Sequence, residues 1–224
     1  MKVIVSDPIS DDGLKIFYDN NIDVVDATNS TIDENYEHIP TANAWVIRSG
    51  TNLDASIISK ADKLAVIGRA GVGIDNIDIS AATRKGVVVM NTPDANTISA
   101  AEHTMALLLS LSRNVSYGHH SILNGNWDRH KFIGSELRAK SLGIIGLGKI
   151  GREVMQRALG FNMKILGFDP FIKKEMLRPD EIELLDLNEL VEKSDFITIH
   201  IPLTNDTKNL FDFKMLNKMK KEAR

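Results

Sequence analysis

The chain has no cysteine among its 224 residues. Disulfides, thiolate nucleophiles and cysteine-ligated metals are thereby excluded. It also lacks a charge excess: 27 Lys and Arg against 30 Asp and Glu leave a formal net charge of −3. Nothing in that balance points to nucleic acid or to an acidic membrane surface as a partner. No apolar run approaches the length of a membrane span, and the densest, Met105 to Leu111, is far too short. The opening Met-Lys-Val-Ile-Val-Ser-Asp reads as a short strand, not as a signal peptide. Low-complexity tracts and fixed short repeats are missing as well. The histidines, His38, His103, His119, His120, His130 and His200, pair with no carboxylate at a catalytic or metal-ligating spacing. No metal site is expected, and a cytoplasmic location follows by elimination.

What is present is concentrated in residues 142–151, Leu-Gly-Ile-Ile-Gly-Leu-Gly-Lys-Ile-Gly. An apolar run suited to a buried strand ends in Gly146-x-Gly148-x-x-Gly151. An amphipathic segment, Arg152 to Leu159, follows, and Asp169 closes the next apolar run roughly 20 positions on. This is the strand–turn–helix–strand–acid pattern of a dinucleotide site. Gly146 permits a tight turn, Gly148 lets backbone approach a pyrophosphate, and Gly151 lets the helix lie close on the strand. N–H groups of the helix start, near Lys149 and Ile150, would bind the pyrophosphate. Asp169 would accept hydrogen bonds from a ribose diol.

Elsewhere, β-branched runs alternate with helical patterns, which predicts a mostly parallel sheet. Strands are expected at Val3–Val5, Asp23–Val25, Ala44–Ile47, Leu64–Ile67 and Val87–Met90, with helices at Asp11–Tyr18, Ala55–Lys60 and Ile79–Lys85. Asp78 is placed to cap the last helix and Gly86 to end it. A polar loop, 91–96, suits a domain junction. One long helix is expected over Ile98–His119, apolar on nearly all sides in its first half and so buried between layers or at an interface. A loop or arm follows at Asn124–Gly134. The second α/β unit begins at Ser141, with strands at Leu142–Gly146, Lys164–Phe168, Phe196–His200 and a short one at Ile182–Leu184. A full dinucleotide fold has about six strands, and the chain closes on a charged Lys-Met-Lys-Lys-Glu-Ala-Arg224 with fewer. This suggests a chain that stops inside a domain.

The segments Val46-Ile47-Arg48-Ser49-Gly50-Thr51, Gly68 to Asp78, Asn91-Thr92-Pro93 with Asn96 and Glu102, Trp127 to Gly134, the glycine fingerprint, and Asp195 to Leu203 together resemble the D-isomer-specific 2-hydroxyacid dehydrogenase family. The resemblance runs through essentially the whole chain. It implies an α/β protein with a flavodoxin-like substrate-binding domain (1–97) followed by an incomplete Rossmann NAD-binding domain (98–224). It implies NAD as cofactor and a phosphorylated 2-hydroxy acid as substrate. The apolar Ala100–Leu111 stretch and Trp127 predict a homodimer held by the Ile98–His119 helix and the Asn124–Gly134 arm, and composition predicts no nucleic acid or membrane partner. The first-ranked reaction is oxidation of 3-phosphoglycerate to 3-phosphohydroxypyruvate in serine synthesis. Reduction of glyoxylate or hydroxypyruvate, another D-2-hydroxyacid oxidation, and a non-catalytic NAD-binding or dimerisation module are the alternatives. Such enzymes use an arginine, a glutamate and a histidine, the arginine in a Ser/Ala-Arg-Gly motif that does not occur here. The chain is thus expected to be a fragment without catalytic residues and without activity of its own.

Individual residues follow from these patterns. Arg48 stands just past a strand's carboxyl end, where a guanidinium can grip a phosphate or carboxylate, or simply face solvent. Gly71-Val72-Gly73 would form a backbone anion nest; in the family this loop holds the substrate carboxylate, through Val72 and Gly73, and Val72 touches the cofactor. Asp75, Asn76 and Asp78 read as turn and cap residues, Arg69 and Arg84 as structural, and His103 as a packing residue. Arg129 and Lys131 belong to a charged loop or to a phosphate site completed by a neighbouring subunit. His200, Ile201 and Pro202 would line the adenosine side of the cofactor, with Thr207 in reach.

Overall fold

The computed structural model describes residues 1–31, 37–173, 175, 178 and 180–224. The chain divides into two compact units, Met1–Asn96 and Thr97–Arg224.

The first unit alternates β1 (Lys2–Val5), α1 (Asp11–Asp19), β2 (Asp23–Asp26), β3 (Ala44–Ile47), α2 (Ala55–Lys60), β4 (Val66–Arg69), α3 (Ile79–Lys85) and β5 (Val88–Asn91). All pairs are parallel, in the order β2-β1-β3-β4-β5. This is the flavodoxin-like order, whose switch point lies between β1 and β3. Register sets Ile4 beside Trp45 and Trp45 beside Ile67, and all three are buried in the core with Ile47, Leu53 and Ile58. The Ser10, Asp54 and Asp78 side chains cap the helices by accepting from Gly13, Ile57 and Ala81 N–H groups.

Two strands start later than expected. β5 begins at Val88 because Val87 N–H is tied back to Ala82 O at 2.9 Å, completing the left-handed turn at Gly86 (φ 74°) that ends α3. β4 begins at Val66 and runs through Gly68 and Arg69, which pair with Val46 and Ile47. Leu64 instead turns back, its N–H donating to Ala61 O. Arg69 therefore ends a strand.

The second unit contains α4 (Thr97–Arg113), α5 (Val115–Leu123), β6 (Ser141–Ile145), α6 (Lys149–Gly160), β7 (Lys164–Phe168), β8 (Glu183–Leu184), α7 (Leu187–Lys193), β9 (Phe196–Ile199) and α8 (Phe213–Leu216). Its described strands are all parallel, in the order β8-β7-β6-β9. By chain order this is 3-2-1-4, the first four strands of the dinucleotide-binding sheet.

The single helix expected over Ile98–His119 is broken in two. Asn114 sits in the left-handed region (φ 55°), which asparagine tolerates better than most residues. The break bares the carbonyl of Ser112, which accepts Ser135 N–H at 2.9 Å from the returning arm. Gly134 lies against that carbonyl so tightly that a Cβ would collide with it. The arm is not all loop: Arg129–Phe132 form one 3-10 turn. The first half of α4 is not buried on all sides either. Ala101, Met105 and Leu108 join the core, while Ile98, Leu107 and Leu111 are 50%, 58% and 52% exposed.

At the far edge of this sheet Asp195 accepts from Ser141 N and Oγ and from Lys220 Nζ, at 2.8, 2.9 and 2.9 Å. Burial works to raise its pKa, but the Lys220 ammonium and the two Ser141 donors outweigh this and hold it at about 2. Among the described residues no helix is long and apolar enough to cross a membrane.

Candidate cofactor and substrate sites

In the second unit the strand β6 leads directly into the glycine turn. Gly146 has φ +92°, and a Cβ there would stand 2.6 Å from His200 O and 2.8 Å from Ile201 Cγ2. Both conformation and space demand glycine. A Cβ on Gly151 would strike the Gly146 carbonyl, so the helix rests directly on the turn. Gly148 differs: nothing lies within 4 Å of the position a Cβ would take. The backbone is open where a pyrophosphate would approach.

Helix α6 starts at Lys149, three residues ahead of the amphipathic stretch, so Lys149, Ile150 and Gly151 form its first turn. Its N-cap is Gly148, which has no side chain to cap the turn. Twelve residues of aligned peptide dipoles end in this turn. Arg152 braces the turn itself, its Nε donating to Leu147 O at 2.9 Å.

Asp169 follows β7 at its carboxyl end. Its Oδ2 accepts Leu147 N–H at 2.8 Å and its Oδ1 accepts Phe171 N–H at 2.9 Å. Each carboxylate oxygen keeps a second lone pair for a ribose hydroxyl. Beside it lies a cavity of about 1010 Å³, lined by Phe168, Ile172, Leu184 and Leu185 among others.

His200 N–H donates to Ile145 O at 2.7 Å, extending the β9 ladder by one bond. Its ring Nε2 is 2.9 Å from Thr198 Oγ1, and burial holds the ring below its ordinary pKa of 6.5. Ile201 packs beside Gly146. The Thr207 hydroxyl is engaged within its own turn: it donates to Pro202 O at 2.6 Å and accepts Thr204 N–H at 2.8 Å.

The first unit places Arg48 beyond β3, exposed, with Nη1 only at the 3.5 Å limit of hydrogen bonding from Pro8 O. The N–H groups of Val72 and Gly73 have no acceptor among the described residues. The nest expected there is not built on left-handed glycines, since neither Gly71 nor Gly73 has positive φ. They make room instead. A Cβ on Gly71 would collide with the Arg69 guanidinium, and one on Gly73 would come 2.9 Å from Asp75 Oδ1. Asn91 Nδ2 holds the loop by donating to Val72 O at 2.7 Å. Lys131 in the second unit pairs with Asp128 at 2.9 Å.

Residues read only as strand end or turn prove to organise the first unit's loops. Asp7 and Asn76 both grip the segment that carries Arg48. The separations, 25 to 44 residues, leave no local signature.

A parallel sheet in 3-2-1-4 order, an open glycine turn on a helix N-terminus and an acid at the next strand's end define a dinucleotide-binding domain. Residues 105–224 match the family described as "D-isomer specific 2-hydroxyacid dehydrogenase, NAD binding domain". The chain belongs to the D-isomer specific 2-hydroxyacid dehydrogenase family, and NAD is the cofactor of this domain. It is 47% identical over 224 residues to D-3-phosphoglycerate dehydrogenase of Methanocaldococcus jannaschii, covering 100% of this chain and 43% of that protein. The rat D-3-phosphoglycerate dehydrogenase is 42% identical over 223 residues, with 100% and 42% covered. Among solved structures, NAD-dependent formate dehydrogenase from Staphylococcus aureus in complex with NAD superposes with a TM-score of 0.88 at 30% identity, covering 100% of this chain and 72% of that one. The chain thus spans less than half the length of these two phosphoglycerate dehydrogenase relatives.

Proposed function

We propose that the chain is the substrate- and NAD-binding part of an enzyme that oxidises 3-phosphoglycerate to 3-phosphohydroxypyruvate in serine synthesis. Residues 1–97 serve the hydroxy acid and 98–224 the cofactor. The observation that carries the reading is the open Gly148 turn on the uncapped start of α6, tied to Asp169. The similarity to D-3-phosphoglycerate dehydrogenases supports the substrate.

When bound, NAD supplies the hydride acceptor. This chain's residues bind and orient. N–H groups of Lys149, Ile150 and Gly151 meet the pyrophosphate, and Asp169 meets the ribose diol and repels a 2′-phosphate. His200, Ile201, Pro202 and Thr207 wall the cofactor by backbone and shape. Burial lowers the pKa of the His200 ring and so disfavours a positive charge there. Val72 and Gly73 N–H groups receive the substrate carboxylate, and Arg48 its phosphate. The arginine, glutamate and histidine that the family uses for proton transfer and polarisation are not assigned to any residue of the chain.

Calorimetric titration of the 224-residue chain with NAD and NADP tests the cofactor half. NAD is expected to bind at least tenfold more tightly, and Asp169→Ala to erase most of that difference, at about 1.5–3 kcal/mol for a charged hydrogen bond. Equal binding of the two cofactors by the unmodified chain would sink this half.

The same reading makes the protein a homodimer joined through α4, α5 and the arm, where Leu107, Leu111, Val115, Leu123, Trp127 and Ile133 are 52–80% exposed. Sedimentation at micromolar concentration should give twice the chain mass, and a monomer would refute it. A cytoplasmic location goes with the reading and is tested by fractionating source cells. Failure to distinguish 3-phosphoglycerate from D-glycerate in binding would favour glyoxylate or hydroxypyruvate reduction instead.

A further inference from the structure

The segment 48–51 is held on both of its polar sides. Asp7 follows β1, and its Oδ2 accepts Arg48 N–H at 2.6 Å and Thr51 N–H at 3.1 Å. Asn76, in the loop after β4, donates from Nδ2 to Arg48 O at 2.7 Å and to Thr51 O at 2.5 Å. One carboxylate thus takes the N–H groups at the two ends of the turn, and one amide takes the carbonyls at the same two ends. Gly50 completes the arrangement, because a Cβ there would collide with Asp7 Oδ1. The lack of a side chain lets the carboxylate reach across the turn.

Both grips carry a cost. Asp7 is 8% exposed, and a buried carboxylate is tolerated only when its hydrogen bonds are met. Asn76 Oδ1 is buried without a hydrogen-bond partner among the described residues. Its amide cannot be turned over, because two carbonyls need an NH₂ group facing them. Yet the side chain that this clasp presents, Arg48, is itself exposed. The rigid backbone and the open guanidinium stand together at the sheet's switch point between β1 and β3.

We propose that Asp7 and Asn76 are positioning residues that clasp the 48–51 turn so that Arg48 meets the phosphate of a phosphorylated hydroxy acid in one fixed pose. The proposal rests on the reading of Arg48 as the phosphate's partner. Arg48 has several rotatable bonds, and anchoring its backbone at N–H and C=O removes freedom that binding would otherwise have to freeze.

The test is a double-mutant cycle on the 224-residue chain, with dissociation constants for 3-phosphoglycerate, D-glycerate and NAD. Amide spectra confirm folding outside the turn. Asp7→Ala and Asn76→Ala should each weaken 3-phosphoglycerate about tenfold, the worth of a lost charge-assisted or paired hydrogen bond. D-glycerate and NAD binding should stay within about twofold. Asp7→Asn should retain most of the affinity, since its Oδ1 can accept both N–H groups, and it stands in if the alanine variant fails to fold. In the Arg48→Ala background, Asp7→Ala or Asn76→Ala should cost little more, because both act through the removed guanidinium. Additive losses, or equal losses for both acids, overturn the clasp as a positioning device. Alanine variants that bind 3-phosphoglycerate normally, while Arg48→Ala does not, also overturn it and leave the substrate reading standing. If Arg48→Ala binds normally, the substrate reading itself fails and the clasp proposal falls with it.

Discussion

Each unit has a Gly-x-Gly following a parallel strand, and the two use their glycines differently. In the second unit Gly146 is required by its backbone, at φ +92°, and Gly148 leaves open space. In the first unit Gly71 and Gly73 have no such conformation, and they leave room for the side chains of Arg69 and Asp75. One loop ends in a helix N-terminus, the other in a pair of N–H groups beside the Arg69 guanidinium. A shared feature underlies both. An aspartate just past one strand holds the loop that leaves the neighbouring strand: Asp169 on Leu147, and Asp7 on Arg48 and Thr51. The difference teaches that a glycine pattern names a turn but not the reason for it.

Substitutions at the glycines break the comparison most sharply. Gly146→Ala should destabilise the second unit by about 3 kcal/mol or more, from positive φ and backbone overlap with His200. Denaturant unfolding should show this, with NAD binding lost alongside. Gly71→Ala displaces the Arg69 side chain instead, at about 1–3 kcal/mol, and should weaken NAD binding far less than Gly146→Ala does. Gly148→Ala meets no neighbour, so stability should hold within about 0.5 kcal/mol. Only cofactor binding should suffer. If Gly148→Ala unfolded the protein as readily as Gly146→Ala, the division between a glycine for conformation and a glycine for access would be wrong.

Acid sharpens the contrast between units. Asp195 in the second unit has a folded pKa of about 2 against an ordinary 3.8. Its stabilisation is therefore present above pH 3.8 and lost as pH falls through about 2. The worth is roughly 1–2 kcal/mol, and Asp195→Asn should remove that part of the pH dependence. His200 acts with the same sign at higher pH. Its folded pKa lies below 6.5, so the unfolded chain takes up the proton first and stability declines as pH drops below 6.5. His200→Gln should flatten this weaker slope in a series of unfolding curves.

The regular elements were readable because their determinants are local. Asp78 as a cap, Gly86 as a stop and the apolar run before Gly146 each lie within a few residues of the feature they fix. The break at Asn114 was not readable, since the run from Ile98 to His119 is helical by composition. What opens it is the returning arm, which docks on Ser112. The Asp7 and Asn76 grips leave no local signature for a related reason: their partners stand far off in sequence, and both residue types also serve as ordinary turn formers. At Gly71 the glycine pattern is local, but the neighbour that needs the space, Arg69, is set by the pairing of β4 with β3.

The position of β6 in its sheet also has a consequence for synthesis. It is the first strand of its unit in the chain, yet it lies between β7 and β9. Ser141 at its start and Asp195, which pins it, are 54 residues apart. At roughly 5–20 residues per second, a ribosome would leave one edge of this strand bare for several seconds. Leu142, Ile144 and Ile145, fully buried at the end of folding, face water during that wait. The strand that forms the heart of the cofactor domain is thus an aggregation hazard of the nascent chain and a natural place for a chaperone to hold it.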